Sequence, residues 1–251
     1  MRTLREEKLP ASIERALDIV KTTKQQGLTV RLLGGHAVGA HCHGLHPAHL
    51  RTYQDVDLFG FGNESEGIVL VLKDQGYLPD ERFNVLHGAS RLKFLDKRTH
   101  ETLDVFLDVF KMDHILDFHE RLYLDDLTIP LTDLFLTKVQ ITKLTSKDIT
   151  DIIAILEDHD VAQTDSQDML NANYVAELCS DDWPLWKGVT DSLGKFVKLT
   201  QLGKYTIYNN EKLMAKVKTI REAIDFKDKT LRWKLRSHVG VSVKWYFDVE
   251  D

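Results

Sequence analysis

The string Thr102-Leu-Asp-Val-Phe-Leu-Asp-Val-Phe110 alternates in a way that suits a strand and little else. Successive strand side chains point to opposite faces, so Leu103, Val105, Leu107 and Val109 share one face and Asp104, Phe106 and Asp108 the other. The aliphatic face requires a core to lie against. The other face holds a carboxylate, Asp104, in a very apolar segment, where it loses hydration unless a cation or a donor compensates. Residues 90–95 have a second strand pattern, and the polar stretch Asp96-Lys-Arg-Thr-His100 joins the two as a hairpin.

Upstream, residues 28–33 (Leu-Thr-Val-Arg-Leu-Leu) read as a strand stopped by Gly34-Gly35, with a short helix from His36 to about His43. About twenty residues later, Asp55-Val-Asp57-Leu-Phe reads as another strand. Asp55 and Asp57, at i and i+2, face the same way, roughly 7 Å apart along the rise. An amphipathic helix over 10–26 is marked by Ile13, Ala16, Leu17 and Val20 and ended by Gly27; another is expected over 64–75, closed by Gly76. From Leu131 the pattern turns helical, with punctuation at Asp181-Asp-Trp-Pro184 and Gly203. The expected fold class is α/β, a small mixed sheet with flanking helices over 1–130, then a mainly helical region over 131–251.

Composition narrows the function. The chain has 251 residues, 43% hydrophobic and 29% charged, as in a soluble globular protein. A formal net charge of −6 excludes a generally basic nucleic-acid binder. Two cysteines, Cys42 and Cys179, make no disulfide framework and point to a reducing compartment. No apolar run approaches the roughly 18 residues of a membrane span, and the first residues lack a signal core, so a cytoplasmic protein without membrane attachment is expected. His36, His41, His43, His46 and His49 surround Cys42, but their spacing matches no closed zinc set; a surface helix and loop is the expectation there.

Asp55 and Asp57 offer a seat for a hard divalent cation such as Mg²⁺. Asp104, on an adjacent strand, supplies a third carboxylate. Three such groups can hold two cations about 4 Å apart, the clamp for in-line phosphoryl displacement. Gly34 and Gly35, opening a helix, let backbone N–H groups approach phosphate. These features suggest metal-dependent chemistry on a nucleoside triphosphate. Arg91 and Lys93 either point to that triphosphate or form a solvated basic face. Lys138, among Leu134, Phe135 and Ile141, either reaches phosphate or snorkels from a core helix.

Taken in order, Gly34-Gly35, Asp55-Val-Asp57 and Leu103-Asp104-Val105 resemble the signature of the DNA polymerase beta-like nucleotidyltransferases. The segment 131–140 followed by Ser146-Lys-Asp-Ile-Thr-Asp151 is similar to the helical motif of the AbiEii-type and MenT-type members. The resemblance covers about residues 28–158. It implies nucleotidyl transfer, with Asp55, Asp57 and Asp104 as catalytic and metal residues for two Mg²⁺ ions. It also implies that Lys138, Lys147, Asp148 and Asp151 face the nucleotide from the second domain, and it makes an antitoxin a possible partner. The acceptor is left open among RNA, a protein side chain and a small molecule. The stretch 227–245, with Lys227, Lys229, Arg232, Lys234, Arg236, Lys244, Trp233 and Trp245, is either an RNA path or a packed C-terminal helix and strand. A non-catalytic nucleotide- or RNA-binding protein is the alternative from another class. The oligomeric state is not legible.

Overall fold

The structure, a computed structural model, describes residues 9–42, 53, 55–166 and 168–248. His43, His46, His49 and the expected loop over 44–51 lie outside the described residues. The chain forms two compact units. The first takes residues up to Cys42, then Tyr53, 55–110 and 116–130; the second takes 111–115 and the chain from Leu131 onward.

The first unit runs α1 (Ala11–Gln25), β1 (Val30–Leu33), α2 (Gly34–His41), β2 (Val56–Gly60), α3 (Ser65–Asp74), β3 (Tyr77–Pro79), α4 (Glu81–His87), β4 (Arg91–Asp96) and β5 (Thr102–Leu107). Its five strands form a mixed sheet in the order β1-β2-β5-β4-β3, with β2 and β5 parallel and the other neighbours antiparallel. The outer edge of β1 is covered by an extended segment: Leu32 N–H donates to Leu127 O at 2.8 Å, and Ile129 N–H donates to Leu32 O at 3.0 Å. Such covering removes an open edge on which other chains could pair.

One sheet face is apolar over its centre. Leu32, Leu58, Leu103 and Val105 are fully buried there, and Ile68 of α3 packs on Gly60 and Val105. The opposite face is split. At one end Phe59 and Phe106 are sealed by Phe110 and Phe118, with ring centroids 4.9–6.2 Å apart among Phe59–Phe118, Phe106–Phe110 and Phe110–Phe118. Arg31 is buried at this end. Its Nε donates to Asp125 O at 2.7 Å and its Nη2 to Leu122 O at 3.3 Å; burial pushes its pKa down, against the pull of Asp126 and Asp125. The other end of the same face carries the acids.

Sequence periodicity missed β3 and α4. The strand has three residues, one of them Pro79, and α4 buries none of its residues, so neither has a pattern to read. Strand β5 also stops earlier than expected. Asp108 takes a left-handed backbone with φ 62°, and its Oδ1 accepts from Gly62 N–H at 2.9 Å. It therefore leaves the face it was expected to share with Asp104. Asp96, expected in the turn, is the buried end of β4: burial pushes its pKa up, but hydrogen bonds from Arg98 outweigh that and hold it low.

Two-residue strands β6 (Phe110–Lys111) and β7 (Ile115–Leu116) stand at the ends of the 111–115 excursion. The second unit is mainly helical: α5 (Leu131–Val139), α6 (Ser146–Asp158), α7 (Ala172–Asp181), α8 (Trp183–Gln201), α9 (Asn210–Phe226) and α10 (Leu231–Val239). A short parallel pair, β8 (Asp160–Ala162) and β9 (Met169–Asn171), interrupts the helices; three-residue strands were not legible. Helices α6 to α10 are each N-capped by a side chain, from Thr145, Asn171, Asp182, Asn209 and Thr230 in turn. Buried Lys216 of α9 closes the far end of α6, donating to Leu156 O at 2.8 Å and His159 O at 2.6 Å. Among the described residues no helix is long and apolar enough to cross a membrane.

Candidate active site

Strand register builds the acid cluster. Asp57 of β2 lies directly opposite Asp104 of β5, and Asp104 directly opposite Lys93 of β4. Leu33, the last residue of β1, is opposite Asp57. Paired residues point to the same face, so Asp57, Asp104 and Lys93 form one row across three strands. Asp55 precedes β2 and extends the column below Asp57; its Oδ1 accepts from Thr102 Oγ1 at 2.7 Å. Arg91, two residues before Lys93, reaches back to the row: its Nε donates to Asp104 Oδ1 at 3.0 Å. Asp104 is only 5% exposed, and Arg91 provides the compensation that its burial demands. The guanidinium is held over the Phe106 ring at 4.8 Å.

Gly34 is required twice. It begins α2 with φ 67°, a left-handed conformation that suits glycine. A Cβ there would also collide with Asp57 Oδ2. The Asp57 carboxylate therefore rests against the start of α2, where the helix dipole favours negative charge. The N-cap residue Leu33 has no side-chain acceptor to offer this helix; the acid row lies at its start instead.

We expect Gly34→Ala to lower stability by at least about 1–2 kcal/mol from the left-handed backbone and to displace the Asp57 carboxylate. Gly76→Ala separates the two effects. Gly76 has φ 93° but nothing within 4 Å of an added Cβ. Denaturant unfolding should show a loss in both variants, whereas calorimetric Mg·ATP binding should weaken only in Gly34→Ala.

No family model matches the chain, and no curated protein does. Among solved structures it is similar to a lincosamide antibiotic adenylyltransferase with lincomycin bound. The two share 14% identity and a TM-score of 0.40, over 59% of this chain and 97% of that one.

His36 is a site residue that sequence reasoning left on the surface. It is buried, its ring lies 4.9 Å from that of Tyr53, and its Nδ1 is 3.1 Å from the Asp55 carbonyl oxygen. It anchors the backbone that presents Asp55. His41 is likewise engaged, with Nε2 2.6 Å from Thr128 Oγ1. The signal available was the apolar company of Ala37 and Val38, which makes α2 a core helix.

The remaining expected nucleotide residues belong to the second unit. Lys138 Nζ lies 2.8 Å from Asp151 Oδ2, and both side chains are nearly buried, 11% and 3% exposed. Asp148 closes the capping box of α6, its Oδ2 accepting from Thr145 N–H at 2.9 Å and from Thr145 Oγ1 at 2.7 Å. Lys147 is exposed. Replacing Lys138 by Met leaves the Asp151 charge buried without this cation. A loss of about 3–5 kcal/mol is expected in denaturant unfolding, and the double variant Lys138→Met, Asp151→Leu should recover most of it.

The aromatic residues of the basic stretch 227–245 are half-buried against rings of the second unit. Trp233 meets Trp186 edge-on at 5.1 Å, and Trp245 stacks on His114 at 5.8 Å. Arg232 pairs with Asp181 at 3.2 Å, and Arg236 lies over the Trp183 ring at 4.8 Å.

Proposed function

We propose that this chain is a Mg²⁺-dependent nucleotidyltransferase that moves a nucleotidyl group from a nucleoside triphosphate to an acceptor hydroxyl. The observation that carries this reading is the register pairing of Asp57 with Asp104 on adjacent parallel strands, with Asp55 in the same column. Like charges directly opposite one another destabilise a sheet. Retaining them, with Gly34 shaped around one and Arg91 tied to the other, makes sense as a cation seat. The donors are all oxygen, as Mg²⁺ requires. Asp55 and Asp57 would hold both ions and Asp104 the catalytic one. Bound there, Mg²⁺ neutralises charge on the transferring phosphoryl group and on the leaving oxygen.

The chain's own groups define the rest. The first amides of α2 receive the terminal phosphates. Lys93, in the row, offers a further point charge to the triphosphate. Asp104 positions the acceptor hydroxyl and takes its proton. The acceptor oxygen forms a bond to the α-phosphorus, the bond from that phosphorus to the bridging oxygen breaks, and pyrophosphate leaves with the electron pair. All these residues lie in the first unit.

The acceptor is RNA, a protein side chain or a small amino alcohol. With Trp233 and Trp245 each engaged by a neighbouring ring, an RNA path along 227–245 rests chiefly on its cations. An antitoxin partner follows only from the AbiEii-type resemblance.

The test is incubation with each α-labelled ribonucleoside triphosphate and total cellular RNA, with Mg²⁺ or with chelator. Mg²⁺-dependent pyrophosphate release with the label carried to a new species supports transfer, and the labelled species names the acceptor. Nucleotide binding without pyrophosphate under any of these conditions would favour the non-catalytic alternative.

A further inference from the structure

We propose that Phe83 is the stacking platform for the nucleobase of the triphosphate, a reading that rests on the nucleotidyltransferase function. Helix α4 has seven residues and buries none of them, so neither its length nor a core contact explains its stability. Specific bonds fix it to the sheet. Asn84 pairs with β4 just past the end of β3, where Asp80 N–H already donates to Lys93 O at 2.8 Å: Lys93 N–H donates to Asn84 Oδ1 at 2.7 Å, and Asn84 Nδ2 donates to Lys93 O at 3.1 Å. Asp80 caps the helix, accepting from Phe83 N–H at 3.0 Å. These bonds hold the half-buried Phe83 ring beside the cations of the acid row. Lys93 Nζ lies 5.6 Å and the Arg91 guanidinium 5.8 Å from its centroid, with the His87 ring 4.7 Å away.

The order across the sheet is thus Asp57, Asp104, Lys93, Phe83: cation seat, phosphate charge, aromatic ring. A nucleotide has the same order, with a single ribose between α-phosphate and base. One strand spacing, about 4.8 Å, separates Asp104 from Lys93, beside which Phe83 stands. The other phenylalanines of this face, Phe59 and Phe106, are buried under Phe110 and Phe118, which leaves Phe83 as the phenylalanine accessible beside the acid row, with the His87 ring against it. Stacking reads no base edge, so such a platform accepts all four bases and favours the larger purine rings.

Calorimetry with Mg·ATP and Mg·tripolyphosphate tests this, because tripolyphosphate has the charge of the nucleotide without the ring. Phe83→Ala and Phe83→Leu should each weaken Mg·ATP about ten- to hundredfold and leave Mg·tripolyphosphate unchanged. Phe83→Trp should keep Mg·ATP affinity, with indole fluorescence quenched by ATP and not by tripolyphosphate. Retained tripolyphosphate binding also shows that each variant has folded. Equal loss for both ligands, or no loss for either, overturns the proposal; so does unchanged ATP affinity with impaired turnover, which would assign the ring to the acceptor. Asp57→Asn reports on the parent reading separately, since it should abolish binding of both ligands.

Discussion

Replacing Asp104 by Asn should lower turnover by about 10²–10⁴-fold while changing Mg·triphosphate affinity little. Asp104 is the innermost of the three carboxylates and lies on the strand away from Gly34, with Oδ1 held by Arg91. Its loss removes the group that positions and deprotonates the acceptor, an interaction used in the transition state, so kcat falls more than binding. Asp55 and Asp57 remain to hold the nucleotide-bound ion. Arg91, no longer neutralised by a carboxylate, keeps its charge beside the phosphates and offsets part of any loss in affinity. Asp108→Asn is the internal control. Asp108 has left the strand to accept from Gly62 N–H, an amide oxygen can accept the same bond, and asparagine tolerates the left-handed backbone. Near-normal kinetics are expected. An active Asp104→Asn beside a dead Asp108→Asn would place the chemistry on the wrong carboxylate.

Asp57→Asn should abolish Mg²⁺-dependent triphosphate binding and leave the fold intact. Asp57 is the centre of the site, between Gly34 on one side and Asp104 on the other. Opposed like charges on neighbouring strands work against the sheet by about 0.2–1 kcal/mol, so without metal the variant should be equal to or more stable than the parent. Saturating Mg²⁺ reverses the order. A ligand that binds only the folded state raises its stability with concentration, so the parent melting temperature should rise and that of the variant should not. Thermal unfolding with and without Mg²⁺, beside calorimetry with Mg·ATP, reads both effects. Equal metal response in the two proteins would move the site elsewhere.

Much of the site's chemistry was legible because it is local. The strand before Gly34, the same-face pair Asp55 and Asp57, and the alternation around Asp104 are short-period patterns that state which way a side chain points. The choices between phosphate contact and structural contact were not legible. Arg91 and Lys93 alternate identically whether they face solvent or acids; the β4–β5 pairing sets Lys93 opposite Asp104, and the side-chain geometry ties Arg91 to it. The Lys138–Asp151 pair depends on how α5 meets α6.

The sequence alone determined β1, β2, β4 and β5, the helices α1 to α3, the turn to a helical second half and the residue types that could hold a cation, because propensity and periodicity act over a few residues. The tertiary structure decided which of them meet. Residues 57 and 104 become neighbours through parallel pairing of β2 with β5. His36 turns inward under Asp55, Asn84 pairs with β4 three strands away from β1, and Asp108 swings out to Gly62. Each depends on pairing and packing between segments distant in the chain, where loop closure and burial of the whole sheet, not local preference, choose the register.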